Sequence, residues 1–144
     1  MAKILISACL LGYKTRYDGK SKPYEKIKEI LKDDVLIPIC PEQMGGLSTP
    51  RYKAEIRNNK VININGDDVS SNYFSGANMA LEIAKLNNVD FCILKSKSPS
   101  CGKGLVYDGT FSNRLVDGDG ICAKLLKKNG FKIYNEEEIL INEK

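Results

Sequence analysis

Three cysteines in this sequence stand where a chain could build a metal site. Cys9 and Cys40 directly follow short apolar runs, and Cys101 lies in the loop beyond a third run. Apolar runs of this length, bounded by turn residues, are typical of buried strands. Thiolates are soft ligands for zinc, iron and iron–sulfur clusters. The types and positions of these residues therefore predict thiolate chemistry at a metal.

The same three cysteines are predicted to meet in space. Strands buried on both faces favour a parallel sheet, whose sites lie beyond the carboxyl ends of the strands. Three thiolates there can hold a metal centre and leave one coordination position open for catalysis. A structural zinc site takes four ligands, commonly from Cys-x-x-Cys pairs, and this sequence has no such pair. Three separate cysteines suit a four-iron, four-sulfur cluster with one iron that no side chain ligates.

The sequence contains no histidine. This excludes a Ser-His-Asp triad, a Cys-His pair and every histidine-ligated metal site. A general base must then be a carboxylate, an amine, a thiolate or a phenolate. Glu42 follows Cys40 by two residues, and Pro41 stiffens the link between them. Glu42 is therefore a candidate acid or base beside the metal, and the alternative is a solvated loop carboxylate.

The stretch around Cys101 is the second unusual segment. Ser98-Pro99-Ser100-Cys101-Gly102 continues into Lys103 and Gly104. A proline and two glycines around a thiol indicate a backbone shaped for close approach to a ligand. The alternative is an ordinary β-turn with a buried cysteine.

The other two cysteines are predicted to be structural. Cys92 lies inside an apolar strand segment, and Cys122 shares a helical face with Leu125 and Leu126. A free cysteine in such a position usually behaves as a small hydrophobic residue. We expect both in the core.

Strand and helix patterns alternate along the chain, which predicts how these residues are positioned. The alternation indicates an α/β fold, a single three-layer, Rossmann-like domain over residues 1–144 with a mainly parallel sheet. A helix from Ser71 to Leu86 is predicted to bury Phe74. Asn135 and Glu138 fit a capping box. The remaining predicted elements are strands over 3–8, 35–39, 91–94 and 131–134, a hairpin over 53–64, and helices opening at 21–23 and spanning 120–129.

Composition limits the classes of partner and compartment. Lys and Arg total 22 against 18 Asp and Glu, a net charge of +4, which favours an anionic ligand over a cationic one. The five cysteines are dispersed and odd in number, and no secretory segment is recognised. These features predict a reducing, cytoplasmic location. No apolar run approaches the length needed to cross a membrane, so we expect no membrane partner.

Motifs that run in order along nearly the whole chain resemble the thiouracil desulfurase (TudS) family, long described as a domain of unknown function. The motifs are Ile6-Ser7-Ala8-Cys9-Leu10-Leu11-Gly12, Arg16-Tyr17-Asp18-Gly19, Cys40-Pro41-Glu42-Gln43, Gly45-Gly46-Leu47, Thr49-Pro50-Arg51, Ser98-Pro99-Ser100-Cys101-Gly102 and Tyr107-Asp108-Gly109-Thr110-Phe111. The resemblance implies an iron–sulfur enzyme that replaces the sulfur of thiolated uracils by oxygen and releases hydrogen sulfide.

The resemblance also implies roles for individual residues. By position, Cys9, Cys40 and Cys101 become ligands of a [4Fe-4S] cluster, Glu42 the acid/base and Ser100 a catalytic helper. The implied reaction is a hydrolysis, which needs no electron donor because the oxidation state of the carbon does not change. The longer relatives that act on thiolated transfer RNA carry an extra domain that this sequence lacks. We therefore expect a small substrate, such as 2- or 4-thiouracil or 4-thio-UMP, rather than intact RNA.

Four basic residues are candidate contacts for a nucleotide phosphate, although each could instead be ordinary surface charge. They are Arg16, Arg51, Lys97 and Lys103. Two other functions remain open. One is a cysteine-ligated metal-binding or sulfur-carrying protein without turnover, and the other is a metal-free enzyme with Cys101 as nucleophile. The sequence determines neither the physiological substrate nor the oligomeric state.

Overall fold

The computed structural model describes residues 1–142. Its elements alternate between strand and helix for most of the chain, as the sequence pattern predicts. In chain order they are β1 (Lys3–Ser7), a 3-10 helix (Ala8–Leu11), α1 (Glu25–Ile30), β2 (Val35–Ile39), α2 (Pro41–Met44), β3 (Ala54–Arg57), β4 (Lys60–Asn63), α3 (Ser70–Leu86), β5 (Phe91–Leu94), β6 (Leu105–Tyr107), β7 (Leu115–Asp117), α4 (Ile121–Lys128), β8 (Ile133–Asn135) and α5 (Glu136–Asn142).

The centre of the fold is a parallel sheet of four strands in the order β2-β1-β5-β8. In β1, Ile4, Leu5 and Ile6 are fully buried, because both faces of the strand are covered. The chain adds β2 on one side of β1 and then reverses direction, adding β5 and β8 on the other side. In open α/β sheets such a reversal leaves a crevice at the carboxyl ends of the central strands.

Helices cover both faces of the sheet and give the three layers that the sequence predicts. Helices α3 and α4 pack against one face, where Leu5 and Leu94 belong to the core. Helices α1 and α5 cover the other face, where Ile4, Ile6 and Ile93 are buried. Alternate residues of β1 thus face opposite layers, as expected of a strand.

Helix α3 supports the segment that carries two of the candidate site residues. Its buried face includes the small residues Ala77, Ala80 and Ala84. A Cβ atom at Gly76 would collide with the carbonyl of Pro41, so only glycine lets α2 approach α3 this closely. The predicted burial of Phe74 is wrong. Its side chain is 45% exposed, because it lies one position outside the stripe that faces the sheet.

Two antiparallel hairpins stand beside the parallel sheet. The predicted hairpin is β3–β4, and Asn58 and Asn59 both take positive φ values in its two-residue turn, as a hairpin turn of this length requires. The second hairpin, β6–β7, is absent from the sequence prediction. Its strands have only three residues each, too short for a recognisable period.

The capping box predicted near the end of the chain is confirmed. Asn135 and Glu138 exchange hydrogen bonds between side chain and backbone, both at 2.9 Å, as a capping box requires. The last strand begins at Ile133 rather than residue 131. Within residues 1–142, no helix has the length and apolar character that a bilayer crossing demands.

Candidate metal centre

Cys9, Cys40 and Cys101 line one cavity of about 310 Å³ at the carboxyl ends of the central strands. Cys9 lies in the 3-10 helix that follows β1, and Cys40 stands between β2 and α2. Cys101 lies in the long loop after β5. The three neighbouring strands β2, β1 and β5 thus each deliver one thiol to the same crevice.

The loop that carries Cys101 is held by the side chain of Ser98. The Ser98 hydroxyl accepts hydrogen bonds from the backbone N–H groups of Ser100 and Cys101, both at 3.0 Å. The backbone N–H of Gly102 donates to the Ser98 carbonyl at 2.8 Å. A Cβ at Gly102 would lie 2.6 Å from that carbonyl, so glycine permits the tight turn. The turn aims the Cys101 thiol into the cavity.

The thiols are shielded from water. Cys9 is 7% exposed and Cys101 4%, and Cys40 is half-buried. Burial raises the pKa of the Cys9 thiol to about 11, although the ammonium of Lys95 acts in the opposite direction. Burial likewise raises the pKa values of Cys40 and Cys101. Buried thiols of this kind become thiolates when a metal binds them, because the metal supplies the compensating charge.

The cavity suits a group larger than one metal ion. Within residues 1–142, no three His, Cys, Asp or Glu side chains come close enough to hold a single ion. The three thiols instead surround an open volume, and their donor set is the soft one that iron–sulfur clusters take. The donor set of the residues present therefore fits a thiolate-held cluster.

Cys92 and Cys122 lie in the core, as predicted. Both side chains are fully buried in the layer between the sheet and helices α3 and α4. Neither lines the cavity.

Glu42 reaches the cavity from the first turn of α2. Cys40 is the residue before this helix and Pro41 its first residue, so the thiol and the carboxylate belong to one rigid turn. The side chain of Glu42 is only 13% exposed, with Arg51 Nη2 3.4 Å from its Oε2 atom. Burial raises the pKa of Glu42, while the Arg51 guanidinium lowers it and leaves a net upward shift. This degree of burial argues against a solvated loop carboxylate.

Ser100 lies behind Cys101 rather than on the cavity wall. It is fully buried, and its Oγ atom is 4.0 Å from the Cys101 sulfur. Its carbonyl accepts hydrogen bonds from the N–H groups of Cys122 and Ala123, at 2.8 and 3.1 Å. The backbone of Ser100 therefore supports the start of α4, and its hydroxyl adjoins a candidate ligand.

Three of the four predicted phosphate contacts line the cavity, and one does not. Arg16 and Lys97 line the cavity, and Arg16 is also 3.7 Å from Asp18. Arg51 lines the cavity as well, but its guanidinium is engaged with Glu42. Lys103 does not line it, and its Nζ atom lies 2.8 Å from Glu138 of α5.

Comparison with known proteins agrees with this geometry. A sequence model of the family described as 2-thiouracil desulfurase matches residues 4–138. The chain belongs to this family. It is 40% identical to the Bacillus subtilis (strain 168) protein named uncharacterized protein YbbK, over 94% of this chain and 97% of that protein. It is also similar to a solved structure titled [4Fe-4S]-dependent thiouracil desulfidase TudS. The TM-score is 0.87 and the identity 35%, with 99% of each chain covered.

This member of the 2-thiouracil desulfurase family has further cavity residues that sequence reasoning did not find. Lys53, Tyr73 and Lys95 all line the cavity. Lys95 directly follows β5, and this position just beyond a strand end could have indicated that it reaches the site. Lys53 and Tyr73 carried no such signal, because Lys53, just before β3, and Tyr73, in α3, reach the cavity only through tertiary packing.

Lys95 is held by a buried carboxylate. Its Nζ atom is 3.2 Å from Oε2 of Glu136, whose side chain is 1% exposed. Burial acts to raise the pKa of Glu136, but Lys95 and hydrogen bonds from Ser96 outweigh it and hold the pKa below its usual range. The pair therefore fixes the Lys95 ammonium at the cavity wall and offsets its charge with a buried carboxylate.

Cationic side chains predominate around the cavity. Of the residues that the structure describes there, five are cationic and one, Glu42, is a carboxylate. Four of the five also face a carboxylate within 4.0 Å: Arg16 faces Asp18, Arg51 faces Glu42, Lys53 faces Glu55 and Lys95 faces Glu136. The five are Arg16, Arg51, Lys53, Lys95 and Lys97.

Proposed function

We propose that this chain is an iron–sulfur-dependent desulfurase that replaces the thiocarbonyl sulfur of a thiolated uracil base or nucleotide by oxygen. The observation that carries the proposal is the arrival of three thiols, from three neighbouring strand ends, in one cavity of a chain of this family. Cys9, Cys40 and Cys101 would hold a [4Fe-4S] cluster, leaving one iron without a protein ligand. When bound, the cluster would supply a Lewis acid for the substrate sulfur.

The reaction we propose consumes water and produces hydrogen sulfide. The C=S bond is replaced by C=O, and the two protons of water leave with the sulfur as H₂S. The carbon keeps its oxidation state, so no reductant enters the balance. This is a hydrolysis in which the protein must move protons and position water.

Glu42 is the proposed acid/base. It lines the cavity beside Cys40, and its burial favours the protonated form more than usual, which suits a group that both accepts and returns a proton. It would take a proton from the attacking water and deliver one to the departing sulfur. Ser100 is the proposed helper, and its contact with the Cys101 sulfur is the route by which we expect its hydroxyl to act.

The cations at the cavity support an anionic or electron-rich substrate. We propose that Arg16 and Lys97 contact the phosphate of a thio-nucleotide, with Lys53 and Lys95 as additional contacts, because all four line the cavity. Lys103 remains a prediction without support from this geometry, since it does not line the cavity.

Five free cysteines support placing the protein in a reducing compartment, and we propose the cytoplasm. The same condition would preserve a thiolate-held cluster from loss of its ligands through disulfide formation.

The deciding experiment is anaerobic reconstitution with iron and sulfide, followed by assay of sulfide release. The substrates are 2-thiouracil, 4-thiouracil, 4-thiouridine and 4-thio-UMP. We expect a brown protein that releases sulfide from at least one of them without an added reductant. A brown protein that leaves all four untouched would favour the metal-binding or sulfur-carrying alternative. Turnover by a colourless, iron-free protein would favour Cys101 as a metal-free nucleophile.

A further inference from the structure

We infer that Arg51 is a positioning residue for Glu42 and does not serve mainly as a phosphate contact. The inference rests on the proposed function, because it assigns Glu42 the acid/base role. It starts from the contact between Arg51 Nη2 and Glu42 Oε2 at 3.4 Å. Both residues line the cavity, and the side chain of Arg51 is only 6% exposed.

Both terminal nitrogens of Arg51 already have partners within the protein. Nη2 donates to the carbonyl of Thr15 at 2.9 Å, in addition to its contact with Glu42. Nη1 donates to the hydroxyl of Thr49 at 2.9 Å. These contacts hold the planar guanidinium in one orientation. A lysine could not be fixed in this way, because its ammonium lacks the rigid, planar set of donors.

The backbone and neighbours of Arg51 are fixed as well. Its N–H donates to the carbonyl of Tyr17 at 2.8 Å. The hydroxyl of Thr49 also accepts from Nε2 of Gln43, at 2.7 Å, and Gln43 adjoins Glu42 on α2. Three separate segments, around residues 15–17, 42–43 and 48–51, therefore meet at this guanidinium.

This arrangement constrains the carboxylate relative to the cluster ligands. The Thr15 carbonyl that receives Arg51 also lies 3.7 Å from the sulfur of Cys40. Arg51 thus connects the carboxylate of Glu42 to the surroundings of a candidate ligand. A base displaced by about 1 Å can lose on the order of 10² in rate. The Arg51 guanidinium can therefore affect the rate by holding Glu42 in place, without touching the substrate.

Phosphate binding makes different demands on the same side chain. A bidentate phosphate contact uses two N–H groups that point to the ligand. In Arg51 the terminal groups point to protein acceptors, and of its nitrogens only Nε has no partner among the described residues. The competing outcome is a substrate contact that replaces one of these protein acceptors, and the experiment separates it from positioning.

The test compares Arg51→Lys with the wild-type holoenzyme on a free base, 4-thiouracil, and on 4-thio-UMP. We expect kcat to fall by a similar factor on both substrates, about 10–100-fold, with little change in KM or iron content. Arg114→Lys is the matched control, because Arg114 is exposed and does not line the cavity. A loss confined to 4-thio-UMP and expressed in KM would overturn the inference and make Arg51 a phosphate contact.

A double-mutant cycle with Glu42→Gln distinguishes positioning from general damage. If Arg51 acts through Glu42, Arg51→Lys should cause little further loss once the carboxylate is gone. Independent, multiplicative losses would contradict the inference. Thr49→Val provides a second test if Arg51→Lys folds poorly. It removes the hydroxyl that accepts the hydrogen bond from Arg51 Nη1 and keeps a side chain of similar shape. We expect Thr49→Val to lower kcat equally on both substrates, and a wild-type kcat would count against the inference.

Crystal structures provide a readout that does not depend on activity. In Arg51→Lys the carboxylate of Glu42 should move, while Cys9, Cys40 and Cys101 keep their places. An unmoved carboxylate would overturn the inference even in an active enzyme. An inactive wild-type enzyme with a displaced Glu42 in the variant would instead count against the proposed function alone.

Discussion

At the scale of single residues, the cavity combines buried thiols with one buried carboxylate. The protein raises the pKa values of Cys9, Cys40 and Cys101 by withdrawing them from water, so only a strongly cationic group would convert all three to thiolates. The carboxylate of Glu42 is also buried, but it differs from the thiols in having a cation, the Arg51 guanidinium, beside it. These two environments are the chemical basis for assigning ligands and acid/base.

The first prediction concerns the ligands. Cys9→Ala, Cys40→Ala and Cys101→Ala should each lose most iron and all turnover, because two protein ligands hold a cluster weakly. Cys92→Ala and Cys122→Ala are the matched controls and should keep both, with a modest loss of stability from the cavity they create. Iron per chain and sulfide release are the measurements. Full iron in any of the first three variants would remove that cysteine from the ligand set.

The second prediction concerns the carboxylate. Glu42→Gln should retain the cluster, and its activity should fall about 10²–10⁴-fold, the usual contribution of a positioned acid or base. Glutamine keeps the shape of the side chain and removes only its ability to exchange a proton. Loss of iron together with activity would instead identify Glu42 as a structural residue or a fourth ligand. Near-normal turnover would leave Ser100, Lys97 or water as the proton carrier.

At the scale of elements, the site depends on how closely α2 approaches α3. Helix α2 has only four residues, so its position comes from packing rather than from its own stability. Gly45 and Gly76 make that packing possible, because a Cβ on either would collide with backbone of the other helix. Since Cys40 and Glu42 belong to this turn, the contact between the two helices positions both the candidate ligand and the proposed base.

The third prediction tests this helix contact. Gly76→Ala should lower the free energy of unfolding by about 1–3 kcal/mol, the usual cost of overpacking, and reduce iron retention by displacing α2. Ser75→Ala, on the exposed side of the same helix, is the control and should change neither. The measurements are urea midpoints of the apo protein and iron content after reconstitution. Unchanged values for Gly76→Ala would show that the two helices can separate without harm.

The fourth prediction concerns the connection between β5 and α5. Hydrogen bonds from Ser96 and the charge of Lys95 hold the pKa of Glu136 below its unfolded value, despite burial. A lowered folded pKa stabilises the fold above the unfolded pKa and loses that effect as the pH falls. The stability advantage of wild-type apo protein over Glu136→Gln should therefore shrink below about pH 4.5, the unperturbed value. Urea midpoints at pH 7 and pH 4 measure it, and an advantage that grows on acidification would contradict the assignment.

At the scale of the whole molecule, the excess of positive over negative charge is small. The net charge is only +4, and five cations line this single crevice. Tight binding of a nucleic acid needs an extended basic surface that contacts many phosphates. The charge distribution instead suits one small anionic substrate.

The fifth prediction follows from that distribution. Desulfuration of 4-thio-UMP should be much faster than that of intact transfer RNA containing 4-thiouridine at equal concentration of the thiolated base. The rate on the nucleotide should also depend only weakly on salt, because few phosphates are neutralised. Side-by-side sulfide release at two salt concentrations measures both. Equal rates on the two substrates would show that the cavity admits a base presented by folded RNA.

Much of the fold and of the ligand set follows from local sequence patterns. Apolar runs bounded by turn residues predict β1, β2 and β5, and a parallel sheet necessarily gathers their carboxyl ends at one edge. That reasoning alone brings Cys9, Cys40 and Cys101 together. Glu42 can be predicted as well, because it lies two residues after Cys40 and Pro41 restricts the backbone between them.

The directions of long side chains depend on packing between segments that are distant in the sequence. Arg51 and Lys103 look alike in the sequence as mobile cations near candidate ligands, yet one faces Glu42 and the other Glu138. Their partners come from segments that only packing brings near. Lys53 and Tyr73 likewise reach the cavity from a hairpin and a helix that no local period connects to it. Local sequence patterns are enough to predict which strand ends carry the candidate ligands, whereas the contacts of each side chain there depend on the fold as a whole.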